Sequence, residues 1–292
     1  MKISIITPTY NRADLIERAI KSILNQTYQN FEMIIIDDGS TDSTSTVVSE
    51  YLIDQRFRYI KSPFNGGVNS ARNIGIKNIS NDSELITFLD SDDEFCDNAL
   101  DDMIKVINQK PDINYFRFPV IYTNGISVCN LQLADSIADF DKYLSILDNC
   151  GEWVVTLRKK VLENGFSYEE RVNGNESIAY LRLSKTENIY FAKNIVRVYH
   201  VDNEGISRPK ARKKSYYENQ LKAISIFLDE FSSDLYRVNK KVYVSYLYEK
   251  SIMNIILGNK KLGIVQSFEA LKLDFFNINL LRIFKNLLIK KY

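Results

Sequence analysis

The chain has 292 residues, 45% hydrophobic and 26% charged, which is enough apolar material for a large core in one α/β domain with a smaller appended region. Its 38 Lys and Arg against 37 Asp and Glu leave a formal net charge of +1, which argues against a nucleic-acid binder held by bulk attraction to phosphate. Cys96, Cys129 and Cys150, odd in number and widely spaced, suit neither a disulfide framework nor a zinc site, and the lone His200 excludes a His-rich centre; a reducing cytoplasm is expected. In chain order, Lys2 to Thr7 reads as a buried strand that Pro8 ends, rather than as a signal peptide. Ala13 to Asn25 carries Leu15, Ile16, Ala19, Ile20, Ile23 and Leu24 at helical spacing. Phe31 to Ile36 is a second strand, followed by a Thr/Ser-rich helix start at Thr41 to Ser45 and a helix to about Ile53. Phe57 to Lys61 predicts a third strand, Val68 to Asn78 a third helix and Leu85 to Leu89 a fourth strand. Strand and helix alternating in this way imply right-handed parallel crossovers and a doubly wound, mainly parallel sheet. A helix is expected over Asn98 to Gln109, and two strands over Ile113 to Val128 joined at Thr123-Asn124-Gly125. Residues 130 to 187 are mixed, and Asn188 to Val201 is a late strand region. Beyond about residue 212 Pro and Gly nearly vanish and a helical C-terminal region is predicted, with no apolar stretch approaching a membrane span.

In doubly wound sheets ligands sit at the carboxyl ends of the strands, and the polar residues of this sequence collect there. After the first strand, Pro8 stiffens the exit, Tyr10 offers a stacking face, and Asn11 and Arg12 offer donors; a plain turn and helix cap would also use these residues. Neither a dinucleotide fingerprint nor a GxxxxGK[ST] loop is present. After the second strand comes Asp37-Asp38-Gly39-Ser40-Thr41-Asp42, where a carboxylate can accept from a base or ribose while Ser40 or Asp42 caps the next helix. Asn65-Gly66-Gly67 opens a helix with Arg72 in its first turns, close enough to meet phosphate. After the fourth strand, Leu89-Asp90-Ser91-Asp92-Asp93 puts Asp90 and Asp92 on one side of an extended chain, where both can address one ion. Oxygen-only ligation suits Mg²⁺ or Mn²⁺.

The ordered set TPTYNR, DDGSTD, NGGVNSARN and LDSDD resembles the inverting glycosyltransferases of family 2, which have the GT-A fold. The resemblance covers roughly residues 1 to 205. It implies a GT-A domain over 1–211, with a nucleotide-binding half at 1–95 and an acceptor half at 96–211, followed by the helical region 212–292. It further implies that Thr9 and Asp38 meet the nucleoside, with Pro8, Tyr10, Asn11 and Arg12 around them, while Asp37 supports the turn. Gly67, Arg72 and Ser91 would lie at the donor, Asp90 at the ribose or metal, and Asp93 at the donor sugar. Asp92 would be the principal ligand of Mn²⁺ or Mg²⁺. The family's general base opens a helix in the second half. Aligning Leu181-Arg182-Leu183 places Glu176 there and Asn175 where another acid usually stands, with Glu169 and Glu170 as rivals. Trp153 falls where acceptor-binding residues occur, as a stacking face for sugar or as a half-buried core residue. His200 falls where some members have a histidine near the metal, though a lone strand-end histidine also serves structure alone.

The expected function is transfer of a sugar from a nucleotide-diphosphate donor, a UDP-sugar, to a glycan or lipid-linked saccharide in surface polysaccharide synthesis. A sugar nucleotidyltransferase and a catalytically silent nucleotide-sugar-binding subunit are the alternatives. The segment 275–292 is apolar and basic without an acidic residue; written as a helix it collects Leu280, Leu281, Phe284, Leu287 and Leu288 on one face. Such a face suits peripheral contact with the inner surface of the plasma membrane, packing on the chain's own helices, or a homo-oligomer contact.

Overall fold

The computed structural model describes residues 1–200 and 212–274. The expected helix over 275–292 and the boundary at residue 211 lie outside the described residues. Two compact units are present. The first comprises Met1–Tyr143, Asn149–Glu170 and the described chain from Glu176 to His200; the second comprises Leu144–Asp148, Arg171–Asn175 and the described residues 212–274.

The first unit begins β1 (Lys2–Thr9), α1 (Ile16–Leu24), β2 (Phe31–Asp37), α2 (Thr44–Ser49), β3 (Phe57–Lys61), α3 (Val68–Lys77), β4 (Ser83–Phe88). It continues β5 (Glu94–Phe95), α4 (Ala99–Asn108), β6 (Tyr115–Tyr122), β7 (Ser136–Ala138), α5 (Phe140–Ser145), β8 (Trp153–Arg158), α6 (Ser177–Ser184), β9 (Ile189–Phe191) and β10 (Arg197–Tyr199). The sheet runs β3-β2-β1-β4-β8-β6-β10-β5, with β9 paired to β6 and β7 to β9. Strands β3, β2, β1 and β4 are mutually parallel, while β8 is antiparallel to both β4 and β6. Strands β1 and β2 are apolar along most of their length because helices cover them; Ile3, Ile5, Ile6, Ile34, Ile35 and Ile36 are fully buried.

Contrary to expectation, Pro8 does not end β1, which runs on to Thr9 with Pro8 opposite Ile36. The reason lies in the neighbours. Ile6 O accepts from Leu89 N and Thr9 O accepts from Asp38 N, so even-numbered residues of β1 face β4 and odd-numbered ones face β2. β4 stops pairing at Phe88, opposite Ile6, so no ladder requires the N–H that Pro8 lacks. The expected hairpin after β6 is also reduced. Val128 N bonds Val120 O and Tyr122 N bonds Ile126 O, but only an isolated bridge at Ile121 and Ser127 forms. β8 occupies that side of β6 from Tyr115 to Pro119, leaving only the last three residues of β6 for a return strand.

The second unit contains α7 (Lys214–Val238), α8 (Lys240–Ile256) and α9 (Lys260–Leu271), so the helical C-terminal region is present. Asn239 ends α7 and caps α8, its Oδ1 accepting from Val242 N at 3.1 Å. Its core gathers Ile224, Leu228, Val244, Tyr248, Ile252, Ile255 and Ala270. Gly263 lets α9 approach α8 closely: a Cβ there would stand 2.8 Å from Ser251 O.

Candidate functional site

β1 and β2 end side by side, at Thr9 and Asp37, and their exit loops are stitched together. Asn11 adopts φ 51°, which its short polar side chain tolerates; its N donates to Ser40 Oγ at 2.9 Å and its Oδ1 accepts from Thr41 N at 2.9 Å. Asp37 holds the turn, accepting from Ser40 N at 2.6 Å and from the Tyr59 hydroxyl. Asp38 is buried, and its two oxygens accept from Gly66 N at 2.8 Å and Gly67 N at 2.7 Å. Burial raises its carboxyl above the usual range despite these bonds. Thr9 Oγ1 is buried without a hydrogen-bond partner, and Tyr10 is exposed beside it in sequence.

At the end of β4 the chain turns at once, with Asp93 N bonding Asp90 O at 3.1 Å. The alternation that would put Asp90 and Asp92 on one side needs an extended backbone, which stops at Phe88. The two carboxylates therefore take different partners. Asp90 Oδ1 meets Arg72 Nη2 at 2.8 Å and Oδ2 lies 3.9 Å from Arg197 Nη1. Asp92, a third exposed, has Arg12 Nη2 3.9 Å away, and its carbonyl accepts from Arg18. Burial alone would raise the Asp90 carboxyl, but the Arg72 and Arg197 guanidiniums outweigh it and hold it below the usual range. Asp93 is buried and pushed up to about 8, chiefly by loss of water, with Arg197 only partly opposing. Ser91 is buried in the turn. His200 is drawn to the acids rather than standing apart: its N donates to Asp93 Oδ1 at 3.2 Å and its Nε2 lies 3.0 Å from Glu94 Oε1.

Arg72 is placed by α3. Asn69, Arg72 and Asn73 occupy one face at i, i+3 and i+4. The two asparagines lace that face to the segment before α6: Asn69 Nδ2 to Glu169 O and Asn73 Nδ2 to Tyr168 O, each at 2.9 Å. Arg72 then reaches both Asp90 and the Oε1 of Glu176, which sits at the N-cap of α6 without capping it. Glu169 is committed to Arg182 at 2.8 Å and Glu170 to Asn73 at 2.8 Å. Of these three acids, Glu176 is the one that Arg72 joins to the end of β4.

Trp153 takes the core position, one of its two expected places. It is 6% exposed, its Nε1 donates to Cys150 O at 2.7 Å, and its ring packs edge-on against Phe191 at 5.0 Å. The ring is packed into the core. Arg197 and Glu152 were not singled out in the sequence; the available signal was an arginine inside the Val-rich strand Val196-Arg197-Val198.

Among the described residues no three His, Cys, Asp or Glu side chains form a cage that would hold an ion unaided. The donor set nevertheless fits Mg²⁺ or Mn²⁺ arriving with a diphosphate, because such ions use one or two carboxylates and take their other ligands from phosphate and water. Asp92, partly exposed at the strand end, is the carboxylate suited to that role.

A family model described as Glycosyl transferase family 2 matches residues 4–163. The chain is 31% identical over 254 residues to the GalNAc(5)-diNAcBac-PP-undecaprenol beta-1,3-glucosyltransferase of Campylobacter jejuni, covering 84% of this chain and 80% of that one. Three Rickettsia glycosyltransferases are matched over only 15% to 17% of their own length. Among solved structures, S. aureus TarS 1-349 in complex with UDP-GlcNAc superposes with TM-score 0.64 at 18% identity, covering 98% of this chain and 89% of that one. The mannosyltransferase PcManGT from Pyrobaculum calidifontis in complex with GDP-Man and Mn²⁺ gives 0.59 at 15% identity, covering 97% and 83%. At such identities the structural likeness speaks for the fold, and the fold is GT-A.

Proposed function

The chain belongs to glycosyl transferase family 2, and from that premise we propose that it moves a hexosyl or N-acetylhexosaminyl group from a UDP-sugar to a saccharide or lipid-linked saccharide of surface polysaccharide synthesis, inverting the anomeric carbon. The observation that carries this reading is the bridge made by Arg72 between Asp90 at the end of β4 and Glu176 at the start of α6. It brings a donor-side acid and an acceptor-side acid onto one guanidinium. The relatives support the substrate classes: the Campylobacter protein's name specifies an undecaprenol-linked acceptor, and the TarS structure holds UDP-GlcNAc.

In this reading Thr9, Tyr10 and Asp38 receive the nucleoside between the ends of β1 and β2, with Pro8 and Asn11 shaping the wall. Gly67, Ser91 and Asp93 line the donor. Asp92 would hold Mn²⁺ or Mg²⁺, with Asp90 and His200 as further ligand candidates, and the ion would neutralise charge on the departing diphosphate. Arg12 and Arg72 add fixed positive charge at the same strand ends. Glu176 takes the proton from the acceptor hydroxyl as its oxygen attacks the anomeric carbon. The bond to the leaving diphosphate oxygen breaks as the new glycosidic bond forms, and the electron pair leaves with the diphosphate.

The test is transfer from UDP-glucose, UDP-GlcNAc, UDP-galactose and UDP-GalNAc to undecaprenyl-diphosphate-linked saccharides with Mn²⁺. The wild-type protein should release UDP and extend an acceptor, and EDTA or Asp92→Asn should abolish this. Glu176→Gln should lower kcat by about 10²-fold or more with donor affinity preserved. Absence of transfer from every donor sinks the reading. Near-normal turnover in Glu176→Gln with collapse in Glu169→Gln or Glu170→Gln moves the base to those residues.

A further inference from the structure

Arg197 opens β10 with its side chain 6% exposed, and a guanidinium removed from water requires negative partners. Carboxylates surround it: Asp90 Oδ2 at 3.9 Å, Asp93 Oδ2 at 3.5 Å, and Oε1 of Glu152, the residue before β8. The contact with Asp93 is not a directed bond, because Arg197 Nε and Asp93 Oδ2 are both buried without a hydrogen-bond partner. Charge rather than bond geometry therefore holds this side of the turn. Asp90 feels a guanidinium at each oxygen, Arg72 bonded to Oδ1 at 2.8 Å and Arg197 facing Oδ2 at 3.9 Å, so charge acts on it from two sides. Asp92 lies between the two acids that Arg197 holds, Asp90 and Asp93, in a turn closed by the bond from Asp93 N to Asp90 O. Glu152 is 44% exposed and balances Arg197 from the solvent side.

We propose that Arg197, with Glu152 as its outer counter-ion, is a positioning residue that fixes the Asp90–Asp93 turn so that Asp92 meets the divalent ion carried by the donor diphosphate. This rests on the assignment of Asp92 to that ion. Arg197 touches no reacting atom; it acts through the turn. Partners of this outer kind orient the ligands they hold, and their loss costs about 10- to 100-fold in metal affinity or activity.

The experiment is calorimetric titration of UDP with and without Mn²⁺ for the wild type, Asp92→Asn, Arg197→Gln, Arg197→Lys and Glu152→Gln, with ligand-free melting curves alongside. Arg197→Gln and Arg197→Lys should keep metal-free UDP affinity within about twofold and lose about tenfold of the Mn²⁺ enhancement, with Glu152→Gln losing about threefold. A purely structural role would lower the melting temperature and leave the enhancement alone. Should Arg197→Gln fail to fold, Arg197→Lys and the exposed Glu152→Gln decide. If wild-type binding gains nothing from Mn²⁺, or Asp92→Asn keeps the gain, the metal assignment falls and this proposal with it. If Asp92→Asn loses the gain while Arg197→Lys and Glu152→Gln retain it, the positioning role alone is overturned.

Discussion

Glu32 lies in β2 beside the apolar run Met33 to Ile36, and is 3% exposed. It is accommodated because Ser4 Oγ donates at 2.6 Å, and Ser80 donates from N and Oγ at 2.7 Å each. Arg58 adds a contact at 3.1 Å, but its side chain is 41% exposed, and an exposed partner contributes little. The buried bonds therefore dominate, at about 1.5–3 kcal/mol for a charged group before desolvation is set against them. Burial pushes the Glu32 carboxyl up, yet the bonds from Ser4, Ser80 and Arg58 outweigh it and the net shift is downward. A depressed carboxyl contributes stability above the ordinary glutamate range and loses it as pH falls through the folded-state value. Glu32→Gln should thus cost about 1–2 kcal/mol at pH 7 and flatten the acid side of the stability profile, read by urea unfolding from pH 7 down to about pH 3. An equal slope in variant and wild type refutes the assignment.

At the scale of elements, α3 is set by a single missing side chain. A Cβ on Gly75 would lie 2.4 Å from Cγ2 of Ile6, which is fully buried and, being β-branched, cannot swing aside. Alanine would gain up to about 1 kcal/mol of helix propensity, but overpacking costs about 1–3 kcal/mol, so Gly75→Ala should destabilise by about 1–2 kcal/mol. Because Arg72 rides on the same helix, nucleotide affinity in that variant should fall as well, which a titration measures. The elements themselves were largely legible: β-rich runs gave β1 to β4 to within about two residues at each end, since local burial writes itself into local composition. α2 is shorter than its pattern, ending at Ser49 with Ile53 left 92% exposed. What escaped was non-local. Arg197 meets acids more than 40 positions away, and whether Trp153 faces sugar or Phe191 depends on a strand paired with distant β6. The strand-end acids were legible as a cluster, but their shared face was not, because the turn at Asp90 breaks the period on which that reading rested.

At the scale of the molecule, no helix among the described residues is long and apolar enough to cross a membrane. α9 exposes Leu262, Val265 and Phe268 at 50%, 58% and 59%, with the exposed Lys261 and Lys272 on the same side of the helix. The sequence from 275 to 292 adds Arg282, Lys285, Lys290 and Lys291 and no acid. The intact 292-residue chain should float with vesicles containing anionic lipid and remain behind with neutral ones. Truncation after Asp274 should weaken flotation while leaving UDP binding intact. An intact chain that does not float with anionic vesicles, or aggregation of the truncated chain, assigns the segment to the protein's own interior.

The bonds from Gly66 and Gly67 to Asp38 also bear on dynamics. Asn65-Gly66-Gly67 has the composition of a mobile loop, and Gly66 is exposed, yet both glycine amides end on one buried carboxylate. These bonds pin the loop to the end of β2, so little conformational entropy there remains for a nucleotide to freeze. Deuterium uptake should register this directly. In the ligand-free protein the Gly66 and Gly67 amides should exchange far more slowly than an open loop, and UDP should slow them little further. Asp38→Ala should release both to the rate of unstructured chain.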